Sequence, residues 1–328
     1  MISPKLSPNK SNMFMLILMA FIIVASFVFV IVQDLSSTPA PGWVGIVVPQ
    51  LVFLGVPSAV YLIMHRTKIR EILPMRRLGG KNILMVIGMS LALYPLIILI
   101  NFVTTLFFGN PIADTMEAVQ YEGGILLMLI LFPILPSIFE EVAMRGIVFS
   151  GFAKVKIFSA ALINGLFFGV LHQNFNQFSY AFVIGFVMCY MMYYTKSIWA
   201  PVLCHFVLNF VLVLVPYLMS RFINLEALEE TANATDLQLY QWQEYLISFF
   251  VLIFVAALFM AGFIAIYLAY KRHNLRRNEA EGIVTDTYAA AREAGKSKQT
   301  AFTWGFWAAM GLSLAWMIYI QWIISQAG

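Results

Sequence analysis

The run GILLMLILFPILPSIFEEVAMRGIVFSGF, residues 124–152, decides how this chain is read. It is apolar apart from a few small polar residues and one hexapeptide, Glu140 to Arg145, with the sequence EEVAMR. An ionised side chain near a bilayer centre costs ~2.5–3.5 kcal/mol on insertion scales. Two carboxylates and a guanidinium in such a run point to a task, because intramembrane ionisable groups usually mark one. A self-neutralising structural ion pair is the plainer alternative.

The composition agrees with a membrane setting. Of 328 residues, 61% are hydrophobic and 11% charged. Soluble domains average about 45–50% apolar and about 25% charged. The net charge of +4 is small and gives no reason to expect nucleic acid. Two cysteines, Cys189 and Cys204, lie in apolar runs and make neither a disulfide framework nor a zinc-finger spacing.

Working outward, further apolar runs lie at 13–32, 43–64, 82–108, 157–172, 178–195, 198–219, 245–270 and 303–325. Only helices and closed barrels satisfy their backbone in lipid, and these runs far exceed the ~9–11 residues of a barrel strand. The expected fold is all-α: a polytopic helical membrane protein with about nine transmembrane helices around a polar intramembrane site. The first run is too long for a typical signal-peptide core, and SSTPAPG after it lacks a convincing cleavage site. It is expected to stay in the mature protein.

The loops give orientation. Arg66, Lys68, Arg70, Arg76, Arg77 and Lys81 lie between the second and third runs. Lys154, Lys156, Lys196, Lys271, Arg272, Arg276 and Arg277 fall in later loops of the same parity. The alternate loops carry Asp34, then Asp114, Glu117 and Glu122, then Glu226, Glu229, Glu230, Asp236 and Glu244 against Arg221 alone. The positive-inside rule makes this an integral plasma-membrane protein with a cytoplasmic N-terminus and an external C-terminus. The charged stretch 271–300 reads as a solvated cytoplasmic linker. Asn233-Ala234-Thr235 is a glycosylation triplet of a kind common by chance.

The groups able to do chemistry are few. Glu141 and Arg145, four apart, share a helix face and can pair. Glu140 is turned ~100° away from Glu141 and is left for another partner. His172 ends the run GLFFGVLH, one turn after Phe168. His205 and Asn209 make one polar stripe in HFVLN. A carboxylate with imidazoles suits hydrolysis, since both move protons near neutral pH. HExxH, GxSxG and the Walker A pattern are missing from the sequence.

Three motifs stand out: EExxxR at 140–145, with Glu140, Glu141 and Arg145; FxxxH at 168–172, with Phe168 and His172; and HxxxN at 205–209, with His205 and Asn209. In this order they resemble the signature of the CPBP intramembrane metalloproteases. That family includes CAAX proteases and bacteriocin-processing or bacteriocin-immunity proteins. The resemblance covers about residues 120–215. It divides the chain into an N-terminal three-helix region (1–119), a CPBP-like core (120–215) and a C-terminal two-helix region with the charged loop (216–328).

The resemblance implies endopeptidase activity on a membrane-associated peptide or protein substrate within the lipid bilayer, such as a prenylated protein or a peptide precursor. Glu140 would then be the general base, helped by His172. Arg145 would hold Glu141, and His205 and Asn209 would stabilise the oxyanion. A second assignment makes Glu140, His172 and His205 ligands of Zn2+ or another divalent metal, as one carboxylate and two imidazoles can be. Two readings from other classes stay open: a non-catalytic immunity or scaffold protein binding through the same cluster, and a transporter with a midplane polar site. Depth leaves a puzzle. At ~1.5 Å per residue, Glu140 lies ~18 Å and His172 ~22 Å from their cytoplasmic helix ends, but His205 only ~10 Å. A kink at Pro133 or Pro136, a tilt, or a shifted start of the seventh helix would close that gap.

Overall fold

The computed structural model describes residues 7–36, 40–222, 238–294 and 299–327. The triplet at Asn233 and the acidic residues Glu226, Glu229, Glu230 and Asp236 lie outside the described residues. The chain is a helical bundle, and among the described residues the only β pairing is an isolated bridge between Met75 and Ser197. The helices are α1 (Pro8–Leu35), α2 (Val44–Met64), α3 (Gly80–Phe108), α4 (Pro111–Val148), α5 (Ile157–Leu171), α6 (Phe175–Thr195), α7 (Trp199–Phe222), α8 (Gln238–Ala280), α9 (Thr287–Glu293) and α10 (Trp304–Ala327). Among the described residues, eight are long and apolar enough to cross a membrane, and α5, at 15 residues, is a shorter apolar helix. The expectation of a polytopic all-α membrane protein holds, with eight candidate spans among the described residues where about nine transmembrane helices were expected.

Two helices depart from regular α geometry near the site. α4 breaks at Gly124, whose φ of 63° no β-carbon-bearing residue adopts cheaply. The apolar run begins there, so 111–123 is a separate arm. Beyond it, α4 turns π-helical at Ile130–Ile134, around Pro133, and again at Val142–Val148. α2 does the same at Pro49–Gly55. A proline cannot donate to the helical ladder, and at Pro49 and Pro133 the chain absorbs the missing bond with a wider turn; Val142–Val148 contains no proline.

α5 is about 22 Å long at 1.5 Å per residue, shorter than the ~30 Å hydrocarbon core. Most of it is buried inside the bundle rather than facing lipid. Glycines let it approach α6 closely. A β-carbon on Gly165 would stand 2.9 Å from Phe182 O, and one on Gly169 2.9 Å from Phe178 O. This is the small-residue packing that membrane interiors use in place of a hydrophobic drive between helices.

Contacts at the two ends sort the loops. Arg76 donates to Thr195 O and Asn278 Oδ1 and pairs with Glu281 at 2.7 Å. Arg277 donates to Leu78 O and Arg77 O. Asn82 and Asn274, both fully buried, exchange amide hydrogen bonds at 3.1 and 2.8 Å. The basic loops therefore gather at one end of the bundle. At the other end, Glu122 accepts the N–H groups of Gly42 and Trp43, just ahead of α2. α1 and α10 run parallel: Asn12 reaches Ala301 O and Thr303 near one end, and Phe27 meets Trp316 and Tyr319 further along. The start of α1 and the end of α10 thus lie at opposite ends of the bundle.

Over the described residues 271–294 the reading as a linker is corrected, although most of the charged side chains there stay exposed. α8 continues as helix through the basic residues to Ala280, and α9 is docked. Thr287 Oγ1 donates to Ala153 O, and Lys196 Nζ to Thr285 O at 2.7 Å. Asparagine and arginine side chains from α3, α8 and the loops satisfy one another there, which a charge count along the sequence does not reveal.

Lys196 lies in the loop between α6 and α7. Burial pushes its ammonium down to about 8, against an opposing pull from Asp286. The unfolded chain therefore binds this proton more tightly than the folded one between pH 8 and the ordinary lysine range near ~10.4. Stability from Lys196 should rise with pH across that window. Thermal unfolding of wild type and Lys196→Met at about pH 7.5 and about pH 9.5 checks this: the wild type should gain relative to the variant at the higher pH. A constant difference would refute it.

Candidate active site

The EEVAMR hexapeptide runs from the last turn of regular helix in α4 into its second π-helical stretch, so its neighbours are set by an unevenly wound helix. Glu141 and Arg145 are fully buried and paired, with Arg145 Nη1 donating to Glu141 Oε1 at 2.9 Å. The same oxygen takes a second partner, His205 Nδ1 on α7, also at 2.9 Å. An ionised carboxylate only accepts, so Nδ1 of His205 carries the proton and Nε2 is the atom left for other partners. The Arg145 guanidinium sits 4.3 Å from the centre of the Phe168 ring. Phe168 is also edge-on to both imidazoles, at 5.1 Å from His172 and 5.6 Å from His205. One ring on α5 thus spaces three ionisable groups.

Glu140, 6% exposed, faces a different way from Glu141. Its Oε1 accepts from Gln50 Nε2 of α2 at 2.8 Å. Its Oε2 has no protein hydrogen-bond partner and lies 4.0 Å from His172 Nε2. That is too long for a hydrogen bond. His172 Nδ1 is 2.9 Å from Phe168 O, and a carbonyl only accepts, so Nδ1 holds a proton, and in the neutral ring Nε2 is the acceptor.

His172 caps the C-terminal end of α5. Gln173 follows in the left-handed region, at φ 59°, and turns the chain into α6. Its side chain accepts from Trp316 Nε1 at 2.8 Å, tying the turn to α10. Asn174 then caps α6, accepting from Gln177 N, while its amide donates to His172 O.

Glu140, His172, His205 and Asn209 line one cavity of about 310 Å³, with Phe168 in its wall. Asn209 spends one amide hydrogen on Phe132 O at 3.0 Å and keeps a second. Glu141 and Arg145 stand behind the cavity rather than on it. The depth puzzle resolves without a shifted helix start, because α7 does start at Trp199, as the sequence suggested. Glu141 and His205 meet through the tilts and kinks of one helix against another.

The structure adds two partners. Gln50 holds one oxygen of Glu140. Glu141, already paired with Arg145, also anchors His205. Residues missed on the sequence also line the cavity: Gln50, Gln173, Gln177 and Tyr180. Gln50 is the lone amide in the apolar run 43–64, a signal of the same kind that singled out Glu140. As for metal, a catalytic zinc site needs three protein ligands around one ion. Among the described residues no three of His, Cys, Asp and Glu are grouped to hold one. Glu140, His172 and His205 do not form such a group as folded.

Residues 122–211 match the family model "Type II CAAX prenyl endopeptidase Rce1-like". That segment is similar to a membrane-protease core, in agreement with the three motifs. The chain is also similar to a Bacillus subtilis protein named "Putative membrane peptidase YdiL", with 28% identity over 102 residues. That match covers 31% of this chain and 42% of the relative, so the chain spans less than half of that protein's length. No solved structure matches. The matched segment runs from the arm before Gly124 to just past Asn209, and so contains all three motifs.

The buried pair makes a stability prediction. Arg145→Met leaves a carboxylate uncompensated and should cost about 3–5 kcal/mol, whereas the double change Glu141→Leu/Arg145→Met should recover part of that loss. Denaturant unfolding in detergent measures both. An Arg145→Met protein as stable as wild type would show that the pair does not hold the site together.

Proposed function

We propose that this protein is an intramembrane endopeptidase that cleaves a prenylated or membrane-associated peptide with water activated by Glu140. The observation that carries this reading is the pair of proton acceptors, Glu140 Oε2 and His172 Nε2, standing 4.0 Å apart in the cavity. A water between them can donate one hydrogen to each at ~2.8 Å. As the water oxygen attacks the scissile carbonyl carbon, Glu140 takes its proton. The C–N bond then breaks, and the leaving amine receives that proton.

The tetrahedral intermediate carries an oxyanion. Asn209 can offer its second amide hydrogen. His205 can offer Nε2–H when its ring holds both protons, with Nδ1–H still committed to Glu141. Such donors work because they are fixed before the reaction begins. Glu141, Arg145 and Phe168 act as that fixture. An apolar wall that includes Ile22, Phe53, Leu54 and Ile184 suits a lipid-bearing or apolar peptide.

Purified full-length protein in detergent should cleave a quenched-fluorescent farnesylated CAAX peptide. Glu140→Ala should abolish turnover. His205→Ala and Asn209→Ala should each lower it by ~10²–10³. Chelation with phenanthroline should leave the rate unchanged, and metal analysis should find no stoichiometric ion. Full activity in Glu140→Ala would sink the peptidase reading in favour of an immunity or scaffold role. Loss on chelation, restored by Zn2+, would favour the metal assignment.

The gathered basic loops support a cytoplasmic placement for that end, which puts the N-terminus inside and the C-terminus outside. Arg70 and Glu117 are exposed side chains in loops or arms of opposite charge character, and so report on the two sides. In a cysteine-free background, Arg70→Cys should be shielded from a membrane-impermeant maleimide in intact cells, and Glu117→Cys labelled. The reverse pattern would invert the topology.

A further inference from the structure

We infer that Gln50, from outside the matched segment, is a positioning residue for Glu140, an inference that rests on the peptidase reading above. Gln50 lies 90 residues before Glu140 and on another helix, yet its Nε2 donates to Glu140 Oε1 at 2.8 Å. It is 9% exposed and lines the same cavity as Glu140, His172 and His205.

Three features support this role. First, the acceptor is the cavity carboxylate itself. A carboxylate only accepts, so the Gln50 amide must present its NH2 group to Glu140. Second, the bond divides the two oxygens of Glu140 between tasks. Oε1 is tied, and Oε2 is left beside His172 Nε2. A carboxylate on a flexible side chain otherwise rotates, and a general base must present one lone pair to the water.

Third, the backbone under Gln50 is wound for the contact. Gln50 sits in the π-helical stretch Pro49–Gly55, directly after Pro49. A π turn shifts the register of the residues around it, and such turns in α-helices recur at functional sites. The far end of this device is held as well: Glu122, from the arm before Gly124, accepts the N–H groups of Gly42 and Trp43 just ahead of α2.

Two measurements on the full-length protein test the inference. The first is turnover of the farnesylated peptide by Gln50→Met, which keeps length and loses the donor. Turnover number should fall about 10- to 100-fold, the scale of a small misplacement of a catalytic group, with KM within about twofold of wild type. The second needs no activity. Thermal unfolding of Gln50→Met, Glu140→Met and the double variant should be non-additive: Gln50→Met should lower Tm alone and leave it unchanged or raise it in the Glu140→Met background. Additive Tm changes would overturn the contact itself. Coupled Tm changes with an unaltered turnover number would overturn the positioning role. Coupled Tm changes in a wild-type protein that cleaves neither the farnesylated peptide nor its unprenylated form would instead refute the peptidase reading, while the Gln50–Glu140 contact stands.

Discussion

The carboxylate of Glu141 is the constraint on which the rest of the site depends. It is fully buried, and its Oε1 receives both Arg145 on its own helix and His205 on α7. Removing charges from water costs several kcal/mol per ion, and attraction offsets this only with good geometry and further hydrogen bonds. The cluster meets part of that demand: the guanidinium also lies on the Phe168 ring, and that ring touches both imidazoles. Three helices, α4, α5 and α7, are thereby pinned at one level. The catalytic carboxylate of the proposed reaction is its chain neighbour Glu140, and the pinning fixes where Glu140 faces.

The surrounding bundle uses the options a membrane leaves. Apolar side chains gain little by touching one another when lipid is the alternative, so close backbone approach and buried amides take over. Gly165, Gly169 and Gly185 bring α5 against α6. Asn82, Asn274 and Asn278 join α3, α6 and α8 near the basic end. The short α5 is possible because protein, not lipid, covers it. Its early end lets His172 close a helix at the cavity edge, where the left-handed Gln173 turns the chain back.

Much of this was legible in the sequence, and the limits are physical. The Glu141–Arg145 pair followed from helical spacing, which is local and survives the uneven winding of α4. The apolar runs predicted the helices, and Gly124 as the start of the fourth run coincides with the break in α4. The docked stretch after residue 270 was not legible. Its charges and amides are satisfied by partners about 80 to 200 positions away, as with Lys196 and Arg277. The meeting of His205 with Glu141 was not legible either, because a count of residues along each helix does not contain the tilts and kinks of one helix against another.

The sequence by itself determined an all-α membrane protein, its basic and acidic loop pattern, and the residues of the three motifs. Those features depend on composition and on spacing within single helices, where geometry is fixed by the backbone. Only the tertiary structure decided which carboxylate meets which histidine, and that Gln50 completes the surroundings of Glu140. Those pairings join helices far apart in the chain, and they depend on how π turns, glycines and prolines rotate one helix against another.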